Sequence, residues 1–233
     1  MSAALDYPLS LAVEDFVPVL LTGAGAALLI GPLRTLRPRT GRTAAAGTAL
    51  ILLGGLSKAV WKLLVALDGP DVQAMNKALF PCLSFGFLLL AHALLTLPSN
   101  GPGDPARRTP PPLWGFAALW SATGAAGLAL RSTAPHMVLT IVAVTVCGVR
   151  LILLARAHGD TAAAAAGGLW LTGMYVLGPL AARPDQSVAL QWVEQSANTL
   201  TQGAFVLLAW RLEKRLRAAS SLSSSPTSDR SAA

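Results

Sequence analysis

The sequence predicts an all-α fold, a bundle of seven transmembrane helices with the N-terminus outside and the C-terminus cytoplasmic. Three observations carry this prediction. Of 233 residues, 53% are hydrophobic and only 12% are charged, with a mean hydropathy of +0.55; an average soluble domain carries about twice that charge. The apolar residues fall into seven runs near the roughly 20 residues that a spanning helix needs, separated by turns bearing Gly and Pro. The basic residues gather on alternate turns, as the positive-inside rule describes.

Residues 1–15 carry Asp6, Glu14 and Asp15 and no basic residue. They lack the positively charged region of a cleavable signal peptide and are expected to form an extracellular N-terminal segment. The seven-helix membrane domain is expected over 16–217, with helices at 16–36, 43–67, 76–97, 113–130, 135–157, 161–182 and 186–211. Turns are expected at 37–41, 68–71 and 183–185, where Gly and Pro punctuate the chain. The stretch 98–112 is longer, and its Pro, Gly and Arg content reads as a hinge between halves. The Ser-rich stretch 218–233 has too little apolar content to fold alone and is expected to be a disordered cytoplasmic tail.

Charge sets the orientation and narrows the function. The net charge of +7 would suit nucleic acid, but here the arginines lie between apolar runs rather than on a solvated surface, so no nucleic-acid partner is expected. One side collects Arg34, Arg37, Arg39, Arg42, Arg107, Arg108, Arg156, Arg211, Lys214, Arg215 and Arg217; the other has Lys77, Arg131 and Arg183. The richer side is cytoplasmic, which places the protein in the cell inner (plasma) membrane as a multi-pass protein. Cys82 and Cys147 stand in different apolar runs and read as small buried hydrophobes.

The last helix carries the most informative pattern. Gln191, Glu194, Gln195, Asn198, Thr199 and Gln202 recur at helical spacing and form one polar stripe. Amides and an ionisable group at membrane depth must face the bundle interior or a wet cavity, which makes this face a candidate site. The second helix supplies a counterpart in Ser57, Lys58, Trp61 and Lys62, with the two lysines one turn apart. Lys62 lies about 7 Å from the helix end and reaches the interface, whereas Lys58, roughly 13 Å deep, needs a partner. Glu194 lies at a comparable depth of roughly 12 Å, so a Lys58–Glu194 pair is expected. Such a pair pays desolvation and is better evidence of a retained role than of stability. Packing alone is the competing account, since polar groups also join helices.

The candidate ligand-binding set is therefore Lys58, Trp61, Lys62, Tyr175, Gln191, Glu194, Gln195, Asn198 and Gln202. Tyr175, with Trp170 and Thr172, would add an aromatic wall and a hydroxyl, with interior packing as the equal alternative. Trp61 and Trp192 also suit an outer aromatic belt, and Arg150 suits snorkelling toward the cytoplasmic side. Asn76 and Lys77 read as helix-start residues at the outer interface. The His92, His136 and His158 placements give no paired haem ligation, and no catalytic or phosphate-binding motif occurs, so no metal or cofactor is expected. A retinal lysine is absent from the last helix, whose first lysine is Lys214 at its border.

Displacing the chain by 118 residues aligns Leu21-Thr22 with Leu139-Thr140, Thr43 through Ala46 with Thr161 through Ala164, Gly55 with Gly173, and Phe87 with Phe205. One ungapped shift thus brings helices one to three onto helices five to seven, with 113–130 as a linker helix between candidate repeats 16–97 and 135–217. An odd linker makes the repeat parallel. This three-plus-one-plus-three topology resembles that of SWEET-type sugar transporters and their PQ-loop relatives. The resemblance stops at topology, because Pro70 is followed by Asp71 and Pro184 by Asp185 where a Pro-Gln pair would stand.

These observations lead to a multi-pass membrane protein with a polar pocket between helices two and seven, expected to serve as a small-solute transporter. A membrane sensor or interaction subunit that binds a ligand or partner is the alternative. An intramembrane enzyme on a lipid or isoprenoid, with Glu194 as general base, comes third; no catalytic residue is assigned. The expected partners are the lipid bilayer and a small-molecule solute, and a homo-oligomer is compatible with the pattern.

Overall fold

The computed structural model describes residues 8–97, 112–181 and 187–223. Among these the secondary structure is helical, in the order α1 (Leu9–Glu14), α2 (Phe16–Leu36), α3 (Pro38–Ala66), α4 (Gln73–Lys77), α5 (Leu79–Leu95), α6 (Leu113–Leu130), α7 (Ala134–Ala157), α8 (Thr161–Ala181) and α9 (Val188–Ser223). Among the described residues, five stretches are long and apolar enough to cross a membrane: Leu9–Thr35, Pro38–Ala66, Gln73–Leu95, Leu113–Leu130 and Ala134–Ala157. α8, opened by an Ala and Gly run, and α9, interrupted by its polar stripe, are long helices outside that set.

Several boundaries differ from the sequence expectation, each for a local reason. The region 37–41, expected as a turn, is mostly helix. Arg37 alone is extended, at φ −152° and ψ 109°, as a residue before proline prefers. Pro38 then opens α3, five residues before the expected start, where its missing N–H costs nothing. The expected third helix is split into α4 and α5. Pro81 can donate no hydrogen bond to Lys77, four residues back, and its ring crowds that carbonyl, so α4 ends at Lys77. Residues 9–14, expected only as an external segment, form α1. At the other end α9 continues to Ser223, because Arg, Leu, Ala and Lys extend the helix past the expected limit at residue 211. Residues 218–223 of the expected tail are thus helical, and the rest of that tail lies outside the described residues. So do 98–111, most of the expected hinge.

Six long helices close a ring in chain order. α2 packs on α3, α3 on α5, α5 on α7, α7 on α8, α8 on α9, and α9 returns to α2. α6 stands outside, against α5 and α7, and none of its residues is buried. Its Trp120 is the anchor: Nε1 donates to the Pro81 carbonyl at 3.0 Å, and the ring lies 5.2 Å from Phe85 and 5.6 Å from His136. α3 and α5 meet backbone to backbone at Gly47 and Gly86. A Cβ on Gly47 would lie 2.6 Å from the Gly86 carbonyl oxygen, and one on Gly86 would lie 2.7 Å from the Gly47 oxygen. Only glycine allows backbones this close.

Polar groups lock one end of the ring. Asp160, in the turn between α7 and α8, is 3% exposed. Its Oδ1 accepts from Arg211 Nε and the Ala163 backbone N–H, each at 2.9 Å, and its Oδ2 from Arg215 Nε at 3.2 Å. The hydrogen bond from Arg211, then the backbone one from Ala163, and then Arg215 hold its carboxyl down at about 2. Arg150 also belongs to the packing: Nη2 donates to the carbonyls of Leu97 at 2.8 Å and Leu94 at 3.3 Å. It satisfies the carbonyls at the end of α5, where the sequence suggested a snorkelling side chain.

Candidate functional site

Inside the ring lies a cavity of about 200 Å³. Each of the six ring helices contributes to its wall, together with Asp15, while α6 contributes nothing. Its wall has two characters. Lys58 of α3 and Glu194, Gln195, Asn198 and Gln202 of α9 make a polar side. Phe80, Leu83 and Phe87 of α5, Met137 and Val144 of α7 and Met174 of α8 make an apolar one. The helical period explains the polar side, since positions 191, 194, 195 and 202 of α9 are buried while Trp192, Val193 and Leu200 point outward.

The expected set divides between the cavity and one end of it. Lys58, Tyr175, Glu194, Gln195, Asn198 and Gln202 are on the wall. Lys62 and Gln191 are buried but off it, and Trp61 is 4% exposed, inside the fold rather than in an outer belt. Trp61 Nε1 donates to Asp71 Oδ1 at 2.8 Å, joining α3 to the following loop. That bond, aided by Gln73, holds the Asp71 carboxyl below its ordinary range. Tyr175 is 43% exposed, and its hydroxyl shares a 2.8 Å hydrogen bond with Thr145. Trp170 is buried against Phe205, with ring centroids 5.0 Å apart, the interior packing that the sequence offered beside an aromatic wall.

The close ion pair differs from the expected one. Lys62 Nζ lies 2.6 Å from Asp15 Oδ2, with the two side chains 7% and 11% exposed. Gln195 Nε2 also donates to Asp15, and Thr199 Oγ1 donates to Glu14 at 2.7 Å. Lys58, Glu194 and Asp15 share the cavity wall. No ion pair within 4.0 Å joins Lys58 to Glu194, and Lys58 has no contact ion pair among the described residues.

Asp15 is the residue that sequence reasoning missed. Glu14 and Asp15 entered only as evidence against a signal peptide, yet α1 turns them inward. Leu11 and Ala12 are fully buried, and α1 packs on α2, α3 and α9 at the end of the ring where α3 finishes and α9 begins. The available signal was an apolar Leu9–Val13 run ending in two acids beside the first long apolar helix. Those acids could have been matched to the lysines of α3.

No protein-family model matches the chain, and no curated protein or solved structure matches it either.

Proposed function

We propose that this is a seven-span membrane protein of the inner (plasma) membrane that carries a small solute through the cavity enclosed by α2, α3, α5, α7, α8 and α9. The N-terminus lies outside and the C-terminus in the cytoplasm. The observation that carries the reading is a cavity at the centre of a ring of long helices whose wall holds Lys58, Glu194, Gln195, Asn198 and Gln202. Charged and amide groups between apolar helices are expensive, and in a bilayer they mark solute or ion pathways.

The ring contacts support a parallel repeat. The sequence α2–α3–α5 is matched by α7–α8–α9, each triplet packs in chain order, and each joins the other end to end. Wall positions recur under the same displacement: Val19 with Met137, Thr22 with Thr140, Ala59 with Leu177, and Phe80 with Asn198. Two similar halves around a central site suit alternating access by rocking.

Purified protein in proteoliposomes is expected to take up a labelled solute along its gradient, with the flux falling at least about tenfold in Glu194→Gln, the loss of a charged hydrogen-bond partner. Retained solute binding with no flux in the native protein would move the reading to the sensor. Orientation is tested with an impermeant maleimide in a background lacking Cys82 and Cys147. Ser132→Cys should label from outside and Lys214→Cys only after permeabilisation; the reverse pattern would refute the topology.

A further inference from the structure

The proposed solute pocket also carries information about its occupant. We propose that the cavity binds a small zwitterion of amino-acid type, with its carboxylate on Lys58 and its ammonium in the acidic corner formed by Asp15, Glu194 and Gln195. This rests on the reading of the cavity as a solute site and adds the chemistry of the solute.

Size sets the first limit. An apolar protein cavity of about 150 Å³ holds benzene, so one of about 200 Å³ takes a molecule only modestly larger. Charge sets the second. Lys58 presents its amino group to the cavity without a contact ion pair among the described residues, whereas Lys62 is already held by Asp15 at 2.6 Å. An ammonium in such surroundings calls for an anionic acceptor. On the same wall Gln195 is 4% exposed; its Nε2 is committed to Asp15, and its Oε1 is buried with no hydrogen-bond donor among the described residues. A buried acceptor of this kind calls for a donor. The wall therefore asks for an acceptor at one point and a donor at another.

Charge balance selects a zwitterion over a simple anion. Among the described residues, the ionisable groups at the cavity and its α1 end are Lys58 and Lys62 against Glu14, Asp15 and Glu194. With these ionised, the cluster already has an excess of carboxylate, and a net anion would add a like charge in a low-dielectric space. A zwitterion supplies the anionic group to Lys58 and leaves the total unchanged. The opposite wall, with Phe80, Leu83, Phe87 and Val144, suits an apolar side chain.

The test measures equilibrium binding by the full-length protein in detergent, by calorimetry and by thermal shift, with three probes of one shape. Leucine carries both charges, 4-methylpentanoate only the carboxylate, and isoamylamine only the ammonium. Leucine is expected to bind at least about tenfold more tightly than either analogue, the increment of one charged hydrogen bond. Lys58→Gln should remove that advantage, and Lys58→Arg should restore part of it. Equal or tighter binding of 4-methylpentanoate, or no binding by any probe, overturns the proposal. Proteoliposome flux separates the two readings. Leucine binding without flux leaves the zwitterion site standing and refutes transport, while flux of 4-methylpentanoate without leucine binding does the reverse.

Discussion

Replacing Asp15 with Asn tests the ion pair at the α1 end of the cavity with little change of shape. Asn keeps an oxygen able to accept from Gln195 Nε2, so the substitution removes charge rather than the hydrogen bond. It leaves Lys62, only 6% exposed, without the carboxylate now 2.6 Å away. Breaking a buried pair costs about 3–5 kcal/mol. The lower end applies, because Asp15 retains some exposure and its acceptor is conserved, so about 3 kcal/mol is expected. At about 2–4 °C per kcal/mol, the melting temperature in micelles, followed by tryptophan fluorescence, should fall by about 6–12 °C. Lys62→Met is expected to be similarly damaging alone, while the double variant should return to within about 1 kcal/mol of native, because both charges leave together. Additive losses in the double variant, or an Asp15→Asn protein as stable as native, would refute the claim that these two charges hold each other in the fold.

Asp160→Asn keeps an acceptor for the Ala163 N–H but removes the charge facing Arg211 and Arg215. Since the folded-state carboxyl is depressed to about 2, its contribution is full above the ordinary carboxylate range near about 3.9 and is lost as pH falls through the folded value. Melting curves of native and variant protein should thus differ at pH 6 and converge near pH 2; a gap that widens on acidification would refute this. Gly86→Ala places a Cβ 2.7 Å from the Gly47 carbonyl oxygen and 3.0 Å from Ile51 N, both backbone atoms, and should cost about 1–3 kcal/mol or more by overpacking. Gly31→Ala meets nothing within 4 Å in α2 and should instead raise the melting temperature slightly.

The ring helices were legible because each is a long apolar run bounded by Gly, Pro or Arg, and the two largest boundary changes, the early start of α3 and the late end of α9, came at a proline and by helix extension. The polar face of α9 was legible for the same reason: Gln191, Glu194, Gln195 and Gln202 obey a helical period, and the structure buries all four. Partner choice was not legible. Depth along a helix placed Lys58 and Glu194 at one level, but depth says nothing about the facing angle of two helices or about which acid arrives first. Asp15 arrives at Lys62 because the short α1 is fully buried at Leu11 and Ala12 and brings the acid in with it. Six residues are too few to register as a spanning segment, so composition alone could not show that they enter the bundle.

The proposed repeat explains why the cavity has one polar and one apolar wall. Under the displacement that aligns the halves, Asn198 of α9 corresponds to Phe80 of α5, and both line the cavity. Glu194 and Gln195 correspond to Asn76 and Lys77, which are polar too but lie in or at the end of α4, off the cavity wall. Pro81 causes the difference. By ending α4 at Lys77 it separates the polar residues from the helix that faces the cavity, while α9, with no proline in its described length, carries its polar residues on one continuous face. Two equivalent halves would have built a pocket with amides and charges on both sides, suited to a wholly polar solute. The break takes Asn76 and Lys77 off the wall, and residue identity within α5, with Phe80 where α9 has Asn198, gives that helix its apolar surface, so the charges stay on α3 and α9. That asymmetry is the physical basis for expecting a solute with a charged end and an apolar body.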